Sequence, residues 1–305
     1  MTIQEKALNE IVAYRDRLDK IEYEDIKTLI KESIRHIPIA LAKLHKGADI
    51  DRVRLNKGKP FFTSQSELSY ITDEKIIADC LTGFGRANKP HQPLFYGALT
   101  SERIKENRTT AYVETSTLIR DNDAVNTEGE LFTLSRWRTN KELVVPEIVF
   151  SENAIKENPQ TAAAFQKYYK DLMQEPMREL ALRQLQLFSQ EFARKTRSHH
   201  DYKIAVAYAD LLMTEGNHPG ILYPSVQTGY QGQNIVLRPD IVDKYLTLTK
   251  VSTHRMHKNK MNATMANYYH AKGFGENNSN FEWDLKECDE PTLIKMWSEH
   301  VADLV

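Results

Sequence analysis

The sequence predicts an α+β fold, a mixed β-sheet core flanked and interrupted by helices. Three observations carry this reading. Short apolar or alternating segments bounded by turn residues recur from residue 51 onward. Long amphipathic stretches stand at both ends and in the middle of the chain. No internal repeat or low-complexity linker divides it.

Residues 3–20 and 24–45 carry helical periodicity, through Leu8, Ile11, Val12 and Leu18 and then Ile26, Leu29, Ile30 and Ile34. The apolar run IPIALAKL (37–44) predicts a helix end buried against a larger body, and HKGAD breaks it. DRVRL (51–55) is a brief strand candidate. EKIIADCLTGF (74–84) reads as a helix closed by glycines, and PLFYGAL (93–99) as a strand. GELFTLSRWRTNKELVVPEIVF (129–150) predicts a hairpin about a Thr-Asn-Lys turn. A helical stretch from about 159 to 197 follows, divided at Pro176 because proline kinks or ends a helix. DYKIAVAYADLLMT (201–214) is an apolar helix, and HPGILYPSV, NIVLRP and YLTLTKV are strands. The tail from 254 is polar, and EPTLIKMWSEHVADL (290–304) predicts a closing amphipathic helix.

Composition narrows the function classes. An apolar fraction of 41%, with 14 Tyr, 11 Phe and 3 Trp in 305 residues, suffices for a sizeable core. The formal net charge of −1 balances 41 basic against 42 acidic residues, so no electrostatic footprint for direct nucleic-acid or membrane binding is expected. Cys80 and Cys288 match no zinc or redox spacing and read as reduced thiols of a cytoplasmic protein. The charged N-terminus has no apolar run of signal-peptide type, and no stretch is long enough to span a membrane.

The common site motifs are missing. No GxGxxG follows a strand, and GxxxxGK[ST], HExxH and GxSxG are absent. DNDAVNTEGE (121–130) is a poor calcium loop because its glycine is misplaced, and no metal site is expected. RKTRSH (194–199) has the Arg-x4-His spacing of some helical ribonucleases, with a solvated basic helix end as the plainer explanation. Four stretches carry polar residues where a core strand would not want them: DRVR (51–54), GRANKPHQPLFY (85–96), TAYVE (110–114) and GILYPSV (220–226). Singly, each has an ordinary account as surface arginines, core tyrosines, a surface glutamate and a turn serine.

Taken in order, these four stretches, with NIVLRP after them, resemble the RES domain family, named for its Arg, Glu and Ser. The resemblance covers roughly residues 46–252 and includes a helical insertion at about 155–198. A helical N-terminal extension (1–45) and a C-terminal extension (253–305) lie outside it. SERIKENR (101–108) is a second insertion, and TAYVETST has strand propensity where the family places its glutamate near a helix start.

The resemblance implies an ADP-ribosyltransferase-like sheet and an enzyme that consumes NAD, as in toxins of toxin–antitoxin pairs. It implies Glu114, Arg52 and Ser225 as catalytic residues, and Arg86, Tyr96, Tyr223 and Arg54 as residues that bind NAD. Arg52 is favoured over Arg54 for the opening arginine. NAD is then substrate, and water or phosphate is the acceptor in an NAD glycohydrolase or phosphorylase. An ADP-ribosyltransferase acting on a protein, or an inactive helical scaffold, uses the same residues differently. The helical additions would serve an antitoxin or a second copy of the chain.

Overall fold

A computed structural model describes residues 2–33, 39–174, 178–260, 262–274 and 281–284. Two helices open the chain, α1 (Ile3–Tyr14) and α2 (Tyr23–Ser33). Thr2 and Glu5 form a capping box that satisfies the first free N–H groups of α1. Leu8 and Ile11 of α1, then Ile26 and Ile30 of α2, are spaced to share one face, and they are buried together with Phe188, Phe192 and Tyr208. The N-terminal helices are therefore part of one core with later elements.

The chain continues through β1 (Leu41–Leu44), β2 (Asp49–Leu55), α3 (Gln65–Leu68), α4 (Glu74–Cys80), β3 (Phe95–Leu99) and α5 (Asn107–Thr115). Next come β4 (Asn126–Thr139), β5 (Leu143–Pro146), α6 (Glu152–Glu157), α7 (Pro159–Leu172), α8 (Arg178–Ala193) and α9 (Lys203–Thr214). The last described elements are β6 (Gly220–Pro224), β7 (Gln233–Leu237), α10 (Pro239–Tyr245), β8 (Leu246–Lys258), β9 (Ala263–Phe274) and β10 (Phe281–Asp284). The result is a mixed α+β protein built on an antiparallel sheet.

The main sheet has eight strands in the order β10-β9-β8-β4-β2-β3-β7-β6. Strand alternation sorts its side chains between two faces. Ile50, Phe95, Trp137, Ile235 and Leu237 fill one face. On the other, Val53, Ala98, Phe132 and Leu134 meet Ala111 and Tyr112 of α5, and Ile221, Tyr223 and Val236 meet the α8–α9 layer. Helix α9 is apolar almost throughout and is buried from Lys203 to Met213, as a helix packed on all sides must be. Strands β2 and β3 share a single register pair, Asp51 with Ala98. Beyond it they part, leaving a split in the sheet beside Arg52.

Several local expectations differ from the structure. LAKL does not end a helix; it forms β1 and pairs with β5 from Leu41–Pro146 to Leu44–Leu143. Its pattern fits a strand, with Leu44 turned inward and Leu41 outward. Residues 129–150 do not fold as a hairpin. Both edges of β4 are taken, by β2 and β8, so β5 leaves the main sheet and finds β1. TAYVETST is not a strand, because residues through Thr115 are the end of α5, where burial of Ala111 and Tyr112 overrides β propensity. Glu114 stands in the last turn of that helix, not near its start. Strand β8 runs through the boundary expected at 252, so the following segment continues the sheet. Pro176 and the closing helix expected over 290–304 lie outside the described residues.

Candidate functional site

The site begins at the C-terminal turn of α5. There the Glu114 carboxylate accepts two hydrogen bonds on the same oxygen, Oε1. Ser225 Oγ and Asn234 Nδ2 each donate at 2.6 Å. Oε2 has no hydrogen-bond partner among the described residues. Ser225 is itself held, with Oγ accepting from the Thr228 N–H at 3.2 Å and its own N–H donating to the Gly232 carbonyl at 2.9 Å. The loop between β6 and β7 closes tightly through Gly229, at φ +62. Gly232 then lies against α5, where a Cβ would fall 2.4 Å from Thr110 Oγ1. A glycine is required for that approach, and the approach brings Ser225 to Glu114. Asn234 arrives from β7, opposite Tyr223 on β6.

Two tyrosines back this corner. Burial pushes the Tyr223 hydroxyl well above its ordinary pKa; Tyr96 and the Glu114 charge add to the shift and Arg86 opposes it. Tyr223 packs its ring on Phe192 at 5.6 Å. Tyr96 is likewise raised by burial, while the Ala87 N–H, Arg86 and Arg52 act the other way. Both phenols stay protonated at neutral pH, so they are hydrogen-bonding walls and not bases.

Arg52 enters the split between β2 and β3. Its Nη1 donates to the Tyr96 carbonyl at 2.8 Å, and the guanidinium lies 5.3 Å from the Phe95 ring centroid. Its Nε is buried without a partner. Burial and the neighbouring Arg54 pull its pKa down to about 10, which still leaves it a cation at neutral pH. Arg54 shares a strand face with Arg52, because the two are separated by one residue. It turns instead to the Glu67 carbonyl and the Phe62 ring. Arg52 is thus the arginine beside Tyr96.

The loop around GRANKP is occupied by its own protein. Gly85 donates to the Asn88 carbonyl at 3.0 Å, and the Ala87 N–H donates to the Tyr96 hydroxyl at 3.1 Å. Tyr96 in turn donates to Asn88 Oδ1 at 2.8 Å. Arg86 reaches the carbonyls of Phe192 and Arg194 at the end of α8 and lies 5.1 Å from the Tyr202 ring centroid. Lys89 and Lys27 both reach Asp210 Oδ2, at 3.2 and 2.7 Å, with the Tyr23 hydroxyl at 3.0 Å. This loop is an internal brace that fixes Tyr96, and Arg86, which the resemblance makes an NAD ligand, is spent within it.

The structure therefore gathers Glu114, Ser225, Tyr223, Tyr96 and Arg86 into one region. Arg52 meets it only at the Tyr96 carbonyl, and with Arg54 its side chain lies on the Ile50 and Phe95 side of the sheet. Asn234, the second donor to Glu114, was not singled out by sequence. Its only signal was one polar residue heading the apolar run NIVLRP. Of the ribonuclease pair, Arg194 lies 3.5 Å from Glu191, and the His199 ring stacks on Phe84 and His200. In the weak calcium loop, the Lys258 ammonium takes the Asp121 carbonyl. Among the described residues no group of three His, Cys, Asp or Glu side chains could hold a metal ion, and no helix is long and apolar enough to cross a membrane. No protein-family model matches the chain, and no curated protein shows significant similarity to it.

Proposed function

We propose that this protein consumes NAD by breaking the bond between nicotinamide and ribose, on an ADP-ribosyltransferase-like sheet of the RES type. The arrangement of Glu114 supports this most directly: two donors fix one carboxylate oxygen and the other remains without a partner. Cleavage sends the C1′–N electron pair to the pyridinium nitrogen, so nicotinamide leaves neutral and needs no general acid. The ribose acquires oxocarbenium character, which a fixed carboxylate stabilises. Ser225 and Asn234 hold Glu114 in place for that task, and Oε2 takes a ribose hydroxyl or faces the developing charge.

The protein offers groups suited to the rest of NAD. Arg52 has a buried Nε donor without a partner, as a pyrophosphate oxygen requires. Tyr96 and Tyr223 supply walls for the nicotinamide end. Arg86 is a scaffold residue in this reading, since its guanidinium is spent on backbone carbonyls. Arg54 acts only through its charge on Arg52. Water or phosphate completes the reaction at C1′. An enzyme of this kind depletes a shared metabolite, which suits a toxin held in check by an antitoxin protein.

The test is nicotinamide release from NAD, with and without phosphate, by the wild type and Glu114→Gln. The expected result is release by the wild type, lowered about 10²–10³-fold in the variant. Equal release by the variant, or none by the folded wild type in either buffer, overturns the hydrolase and phosphorylase reading. Labelling of a protein by radioactive NAD would then favour an ADP-ribosyltransferase.

A further inference from the structure

A cavity lies on the opposite face of the sheet from Glu114. Its volume is about 500 Å³, within the range of small-molecule sites. Leu99, Leu222 and Ile235 from three adjacent strands, with Val145 from β5, give it apolar walls. Two polar side chains stand out among these. Gln233 is only 4% exposed, and its Oε1 is buried with no hydrogen-bond partner. Its Nε2 makes one long contact to Thr161 Oγ1, at 3.4 Å. The register places Gln233 opposite Leu99 and Pro224, on the cavity face, while Asn234 next to it points to Glu114.

The second is Glu147, where the chain passes from β5 beside Leu222. Its carboxyl has neither a hydrogen bond nor an ion pair among the described residues. Burial pushes its pKa up to about 7, and the distant charge of Lys167 on α7 only partly opposes this. A half-buried carboxyl and a buried amide oxygen both stand here without donors, and each is relieved by a ligand that brings N–H groups. The other charged groups at the cavity are Lys43, His45 and Lys46 on the β1 side and Asp49 on β2. Lys43 and His45 lie 3.2 and 3.5 Å from Glu142, and Asp49 pairs with Arg138 at 2.8 Å. Glu142 thus faces Lys43 and His45, Arg138 faces Asp49, Lys46 has no ion pair among the described residues, and the interior presents acceptors.

We propose that this cavity binds a small organic cation, an amidinium, guanidinium or primary ammonium on a short apolar body, whose N–H groups donate to Glu147 and Gln233. The proposal is independent of the NAD reading, since none of the residues used belongs to the Glu114 corner. The body packs on Leu99, Leu222 and Ile235, and binding the cation returns Glu147 to its ionised form.

Calorimetric titration of the full chain with benzamidine, and with benzamide as its neutral counterpart, tests this. Benzamidine is expected to bind at pH 8 at least 10-fold more tightly than benzamide. Its affinity is expected to fall about 10-fold from pH 8 to pH 6, as Glu147 takes up a proton. Glu147→Gln is expected to lower benzamidine affinity about 10- to 100-fold and to remove the pH dependence. Failure of benzamidine to bind at millimolar concentration, or equal binding of benzamide, overturns the proposal without reference to any variant. So does a pH dependence that survives in Glu147→Gln.

Discussion

Glu114 and Glu147 are two carboxylates served by neighbouring residues of one strand, and their surroundings differ. On one face of β7, Asn234 reaches Glu114, which also accepts from Ser225. On the other, Gln233 lines the cavity that holds Glu147, and neither the Gln233 Oε1 nor the Glu147 carboxyl has a hydrogen-bond partner among the described residues. Asp210 marks the opposite limit. It is fully buried, yet two lysines and a tyrosine converge on one of its oxygens. A buried carboxylate matched by cations braces the fold. One fixed by neutral donors is held in place with an oxygen to spare. One left without donors awaits protonation or a ligand.

Removing the brace should have the largest effect on this contrast. Asp210→Ala leaves Lys27 and Lys89 without their shared partner, and a loss of about 3–5 kcal/mol in denaturant unfolding is expected. Burial pushes the Asp210 carboxyl up, but the hydrogen bond and charge of Lys27, with Lys89, overcome it and hold the pKa below its ordinary value. Its contribution is therefore present above the ordinary carboxylate pKa and is lost as pH falls through the depressed one. A variant as stable as the wild type would place the brace elsewhere.

Glu147 should behave with the opposite sign. Its folded pKa is raised from 4.5 to about 7, so the unfolded chain loses its proton first. Wild-type stability should then decline as pH rises between these values, by up to about 3 kcal/mol. Glu147→Gln should flatten this decline in thermal or denaturant unfolding. An unchanged slope would mean that the carboxyl finds a donor in solution. The smallest expected effect is at Asn234. Asn234→Ala should cost about 1–2 kcal/mol, since one donor to a carboxylate is lost while Ser225 remains. It should also slow nicotinamide release about 10-fold, and unaltered release would separate Asn234 from the work of Glu114.

Much of the fold was legible in local pattern. The helices at Leu8–Ile11, Ile26–Ile30 and 203–214, and the strands at 95–99, 220–224 and 233–237, follow from periodicity and turn residues. The failures lie where pairing partners decide. LAKL is too short for periodicity to separate strand from helix, and β5 settled it. The apparent hairpin at 129–150 has a suitable turn, but β2 and β8 had already taken both edges of β4. At the site, Glu114 and Ser225 could be picked out from sequence order. Asn234 could not, because one asparagine at the start of an apolar strand is an ordinary edge residue until α5 sets a carboxylate against it.

The sequence by itself determined which segments bury an apolar face and which side chains carry charge. These are local properties of composition and spacing. Only the tertiary structure decided where those charges and donors are spent. The resemblance makes Arg86 an NAD ligand, but the end of α8 supplies backbone carbonyls that hold it. Glu147, unremarked in the sequence, comes to line a cavity only because the chain after β5 passes beside β6. The physical reason is that the cost of a buried polar group depends on partners distant in the chain, and their arrival is a property of the assembled sheet and helices.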